Sequence, residues 1–125
     1  MRTLLVFALI IITTSCGSKV KDAQNPVLGT WQLTESLMDI GDGNGTYNKV
    51  TSDKTLTFEE DGSVVSNKNV CQGNFYSDAN VGTWNAEDQT FASGKCEAQY
   101  TVIDDVLEVS YNCIEACGER YVRTN

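Results

Sequence analysis

Cysteine is the residue through which this chain can do most of its chemistry, and it has five of them. A thiolate can take a lipid, close a disulfide or bind a metal, and the surroundings of each cysteine separate these uses. Cys16 comes directly after Thr13-Thr14-Ser15, behind a basic Met1-Arg2 start and an unbroken apolar run over residues 4–12. A membrane-crossing helix needs roughly 20 apolar residues, so this run is too short to span. A basic start, a short apolar core and small residues before a cysteine instead describe an export signal, residues 1–15, removed at Cys16. The cysteine sulfur then carries the lipid. Thr14 and Ser15 are small enough for the cut, although Thr13 stands where Leu is usual and Ile12 lies one place early. The rival reading is plain secretion with Cys16 left as a thiol, but a lone thiol in an exported chain is unusual. Residues 16–26 are then the lipidated cysteine and a polar tether, and residues 27–125 the folded domain.

Four cysteines remain: Cys71, Cys96, Cys113 and Cys117. In an exported chain an even number reads first as two disulfides. Cys113-x-x-x-Cys117 could be half of a zinc site, yet Cys71 and Cys96 are too far apart to supply the other half. Histidine is absent, which removes the usual general base and the commonest metal ligand. Asp42, Asn44 and Thr46 alternate oxygens in a Gly-rich stretch, and Asp53 falls where the last ligand of a calcium loop would stand. The sixth position of such a loop must turn as Gly, and here it is Tyr47. Asp104-Asp105 and Glu59-Glu60-Asp61 sit at turns, where nothing separates their pKa values for acid–base work. No catalytic residue, metal ligand or cofactor is expected, and the chain reads as a non-enzyme.

Charge narrows the partners. Beyond residue 15 the chain keeps all 17 acids and loses Arg2, giving 8 − 17 = −9. Nucleic acid is excluded by the need for a basic face. Docking on anionic headgroups is disfavoured too, so the anchor does the membrane work. A basic protein partner fits the sign of the charge.

The elements that must position the cysteines read as strands. Two-residue alternation recurs over residues 27–37, 54–59, 63–67, 81–85, 89–93, 98–103, 106–112 and 118–124, punctuated by Gly, Asn and Asp. Leu56 and Phe58 share one face, and Glu60-Asp61-Gly62 is a hairpin signal. Eight short strands at even spacing predict an all-β, eight-stranded antiparallel up-and-down barrel, with a two-sheet sandwich as the alternative. In such a meander alternate connections share an end. Residues 39–49, 68–80, 94–97 and 113–117 therefore gather together and bring all four cysteines with them. Of the three pairings, Cys71–Cys96 and Cys113–Cys117 suit that layout.

A family resemblance adds to this reading. Gly29-Thr30-Trp31 on the first strand, with an arginine near the end of the last, resembles the lipocalin signature. The chain beyond the signal resembles the small lipocalin-like domains of Bacteroidota lipoproteins. The matching pieces are Leu28-Gly29-Thr30-Trp31-Gln32-Leu33, Leu56-Thr57-Phe58-Glu59-Glu60-Asp61-Gly62-Ser63, Gly82-Thr83-Trp84 and the tail around Tyr111-Asn112-Cys113 and Cys117-Gly118-Glu119-Arg120-Tyr121. The signal itself resembles those of the same lipoproteins, and Gly17-Ser18-Lys19 lacks the acids that mark surface export. The expected location is the periplasmic face of the outer membrane. The resemblance implies barrel closure by Gly29, Trp31 and Arg123, with the Arg123 guanidinium across the Trp31 ring and Arg120 too far along the strand to do so. It also implies a monomer that takes a small apolar or amphipathic ligand at the stapled end. The alternative is a protein-interaction module, such as an inhibitor of a basic envelope hydrolase. The domain is shorter than a true lipocalin, and Trp31, Trp84, Phe58, Phe91, Tyr100 and Tyr111 are read as core filling.

The anchor has a direct check. In a lipoprotein-processing bacterium, Cys16→Ser should abolish labelling by radioactive fatty acid and move the chain from the membrane pellet to the soluble fraction. Equal labelling of both forms would refute lipidation at Cys16.

Overall fold

A computed structural model describes residues 25–71 and 80–124; the expected export signal, Cys16 and most of the expected tether lie outside the described residues. The strands are β1 (Gly29–Met38), β2 (Asn48–Lys49), β3 (Thr55–Phe58), β4 (Ser63–Ser66), β5 (Val81–Asn85), β6 (Thr90–Ser93), β7 (Cys96–Ile103), β8 (Val106–Tyr111) and β9 (Cys117–Arg123). From β3 to β9 each pairs antiparallel with the next. β1 pairs β3 along one edge and β9 along the other, which closes an eight-stranded up-and-down barrel. Closure leaves no long edge to recruit another chain. β2 is a two-residue ribbon on the upper half of β1, opposite Glu35 and Ser36.

Alternation explains the wall. Leu56 and Phe58 on β3, Leu107 and Val109 on β8, and Ala98 and Tyr100 on β7 point inward and are buried. The turns follow their residues. Asp104 and Asp105 both adopt positive φ (52° and 58°), which gives the tight β7–β8 hairpin its two-residue turn. Gly62, at φ 86°, supplies the left-handed residue after Asp61.

β1 cannot remain one regular strand. Its register with β9 slips between Leu33 and Glu35. At that bulge the backbone leaves β3 for β2: Leu33 N–H donates to the Lys54 carbonyl, and Val50 N–H to that of Thr34. Lys54 is thereby placed immediately before β3, on the inward face set by Leu56 and Phe58.

The end where β1 starts and β9 finishes is closed by Trp31 and Arg123. The Arg123 guanidinium lies 4.2 Å from the Trp31 ring. It also donates to the Leu28 and Pro26 carbonyls, both at 2.6 Å. Trp31 Nε1 donates to the Val27 carbonyl at 2.7 Å, so the segment before β1 is strapped across the barrel base. Gly29 turns with φ 110°, and a Cβ there would meet the Arg123 guanidinium at 3.0 Å. Phe58 sits against Phe91, Trp84 and Tyr100 and fills the interior above this base.

Candidate binding surface at the stapled end

β1 runs from the base to the opposite rim, where β9 begins, and the β4–β5, β6–β7 and β8–β9 connections meet at that rim. All four cysteines of the domain are there. Cys71 is joined to Cys96, and Cys113 to Cys117. Their Cα atoms are 6.5 Å and 6.1 Å apart, within the range a disulfide spans. Two cysteines sit slightly differently from the sequence expectation: Cys96 opens β7 and Cys117 opens β9, so each staple is rooted in a strand.

Beneath the rim lies a polar cluster. Lys54 and Glu119 face each other inside the barrel, 6 % and 4 % exposed. Lys54 Nζ lies 2.9 Å from Glu119 Oε2 and 3.2 Å from Oε1. It also donates to the Cys71 carbonyl at 3.3 Å, so its three N–H bonds have three acceptors. Tyr111 and Tyr121 each donate a hydroxyl to Glu119 Oε2, at 2.5 Å and 2.6 Å. Burial drives the Tyr111 phenol well above its ordinary pKa, and the Glu119 charge adds to this. The Tyr121 phenol is raised well above the ordinary value by burial, then by Tyr111 and Glu119. Both phenols therefore stay protonated and serve as donors. The cluster ties β3, β8, β9 and the Cys71 segment together and occupies the upper interior.

This cluster was missed by the sequence reading, which counted Lys54 and Glu119 as ordinary strand residues. Parity could have found it. Lys54 precedes Leu56 by two places, and Glu119 precedes Tyr121 by two, so each shares the inward face of a core residue.

Above the cluster the rim is preorganised. Asp39 N–H donates to the Ala116 carbonyl at 2.8 Å, joining the β1–β2 connection to the β8–β9 loop. The Asp39 carboxylate accepts the backbone N–H groups of Gly41, Asp42 and Gly45. Those bonds, Gly41's first, hold its pKa below the usual carboxylate value. The oxygens that suggested a calcium loop are used within the turn: Asp42 accepts from Asn44 N–H, and its carbonyl accepts from the Asn44 amide. Among the described residues no group of three or more His, Cys, Asp or Glu is placed to hold a metal ion.

Three large apolar side chains stand at this rim. Met38 is 60 % exposed, Ile40 87 % and Ile114 102 %. Met38 and Ile114 line one shallow, largely apolar groove of about 250 Å³ with Asp39, Cys113 and residues 115–117. Outside the wall, Arg120 stacks over the Tyr47 ring at 3.7 Å and pairs with Glu108 and Glu35, which clamps the far end of the β1–β2 connection. Gly118 lets β9 lie close to both β8 and Tyr47, since a Cβ there would lie 2.6 Å from the Val109 carbonyl oxygen and 2.8 Å from Tyr47 Oη. The site residues expected from sequence thus separate into two groups. Gly29, Trp31 and Arg123 close the base, and Cys71, Cys96, Cys113 and Cys117 staple the rim.

Compared with known proteins, the chain matches no family model, no curated protein and no solved structure.

The cluster predicts two results. Glu119→Gln leaves Lys54 buried without a counter-charge and should cost about 3–5 kcal/mol in urea unfolding at neutral pH. Adding Lys54→Met should recover a large part of that loss, because Gln still accepts from the phenols. Alkali is the second test. Folded Tyr111 and Tyr121 hold their protons above the ordinary value of 10.0, whereas the unfolded chain releases them there. Their contribution is intact below about pH 10 and is lost as pH rises through the folded values. Unfolding measured from pH 8 upward should show stability falling only beyond about pH 10, with a shallower fall in Tyr111→Phe.

Proposed function

We propose that this chain is a lipid-anchored, lipocalin-like barrel of the Bacteroidota type, held at the periplasmic face of the outer membrane. Its role is to bind a macromolecular partner through the stapled rim. The observation that carries this reading is the exposure of Met38 at the end of β1 and of Ile40 and Ile114 on pinned loops at the rim, over a barrel whose interior already holds the Lys54–Glu119 cluster. A carrier needs an empty interior, whereas a recognition module needs a rigid outer surface. Loops held on a rigid scaffold are where binding usually sits. The described chain enters at the opposite end, where Arg123 holds the Pro26 carbonyl, which suits a rim that is free of the proposed anchor. The acid-rich composition and the lack of histidine support a binding role over catalysis.

A second reading, binding of a small apolar or amphipathic molecule, is favoured by one feature. The groove between Met38 and the Cys113–Cys117 loop has a mostly apolar lining. Its volume of about 250 Å³ lies at or below the lower end of ordinary ligand pockets, and it is open to solvent.

Photo-crosslinking in the native envelope separates the two. A crosslinker at Ile114 in the full chain should yield a defined protein adduct, while one at Thr101 on the outer wall should not. Adducts extractable by organic solvent would favour the small-molecule reading. Equal background at both positions would refute a rim interface.

A further inference from the structure

The rim's chemistry says what kind of partner suits it. We infer that the rim docks a basic protein surface, one that sets an apolar side chain against Met38, Ile40 and Ile114 while its lysines or arginines meet Asp39, Asp42 and Glu115. This rests on the reading of the rim as an interface and goes beyond it by assigning the partner's charge.

The apolar part is built to be contacted. Ile114 is fully exposed inside a loop closed by Cys113–Cys117. Ile40 lies between Asp39, bonded to Ala116, and Gly41, whose Cα faces the Glu115 carboxylate. Met38 thus projects from the end of β1, and Ile40 and Ile114 from two loops that are already fastened to each other. Little conformational freedom remains to be lost on binding, so burying them is not offset by an ordering cost. Exposed isoleucines on a mobile tip would not carry the same weight.

Charge selects the occupant. Asp39, Asp42 and Glu115 border the apolar residues in sequence, and Asp39 and Glu115 line the same groove as Met38 and Ile114. Among the described residues none of the three forms an ion pair, as is also true of Glu59, Glu60, Asp61, Glu87, Asp88, Glu97 and Asp104; what sets Asp39 and Glu115 apart is that groove, shared with the exposed Met38 and Ile114. The rim therefore presents apolar surface inside unmatched negative charge. A second copy of the chain would bring the same carboxylates and a net charge of −8, so self-association is opposed. An anionic bilayer is repelled for the same reason. A basic partner gains both from burial of the isoleucines and from Coulomb attraction, with steering at low salt.

The test uses the lipidated full chain in zwitterionic nanodiscs and two probe peptides. Both have the same central leucines, flanked in one by lysines and in the other by glutamates. The lysine peptide should bind at least about tenfold more tightly at low salt, and the difference should shrink as salt approaches 0.5 M, where screening is strong (Debye length about 4 Å). Ile114→Asn and the pair Asp42→Lys with Glu115→Lys should each weaken its binding by about tenfold or more. All three positions are exposed, and circular dichroism with thermal unfolding checks that the fold survives the loss of the Asn44 bond to the Asp42 carboxylate. If both peptides bind equally, or the rim variants bind as the parent does, the assignment of a basic partner is overturned. The interface reading then still stands or falls on the Ile114 crosslink, which does not depend on peptide charge.

Discussion

A buried carboxylate must be answered by a cation or by several donors, and Glu119 is answered by both. Lys54, Tyr111 and Tyr121 converge on it from the residue before β3, from β8 and from β9, and Lys54 extends the contact to the Cys71 carbonyl. Against an apolar filling, such a pair is weak support for stability, because two ions have been taken out of water. Its strength lies in selection. Slipping β3 by one residue turns Lys54 out to solvent and leaves Glu119 buried without its counter-charge, a state costing several kcal/mol. The cluster therefore favours one register, and with it the upper half of the barrel.

The bulge in β1 is the backbone side of the same constraint. The last register pair of β3 with β1 is Gln32↔Thr55, and the Leu33 N–H bond to the Lys54 carbonyl ends the contact there. Beyond that point β1 needs another neighbour on the same edge, and β2 takes the place at Glu35 and Ser36. β2 stays in position because Tyr47, just before it, lies under Arg120, whose guanidinium is shared by Glu35 and Glu108. Inside and outside thus agree at one level of the barrel. An ion pair fixes the interior, and a cation–π clamp with two exposed ion pairs fixes the loop that crosses above it.

The all-β class, the closed meander and the order of strands were legible in the sequence because the signals were local: alternating residues, Asp61-Gly62, and Asp104-Asp105 at positive φ. The staples were legible through topology, since alternate connections share an end. Lys54 and Glu119 were not, because lysine and glutamate are seldom buried and composition assigns them to the surface. Only parity with Leu56 and Tyr121 contradicts that default. The short β2 lacked a signal of its own: Asn48-Lys49 has no alternation, and its pairing depends on a bulge in another strand. Arg120 and Arg123 differ by three places and so by side of the wall. That puts one outside on Tyr47 and the other beneath Trp31.

An eight-stranded barrel has room for a packed interior or for one small ligand. Here the space divides by height: Phe58, Phe91 and Tyr100 fill the lower part, and the ion pair with its phenols fills the upper. Opening the upper part to admit a ligand would require breaking the Lys54 contacts, so a guest would have to replace a charge-matched set of hydrogen bonds. The rim carries no such penalty. Its carboxylates and isoleucines are in water, its loops are fastened by Cys113–Cys117 and by Asp39 to Ala116, and nothing inside must move for a partner to reach them. A filled interior and a fastened rim are thus two sides of one packing arrangement, with the polar cluster as the floor beneath the rim.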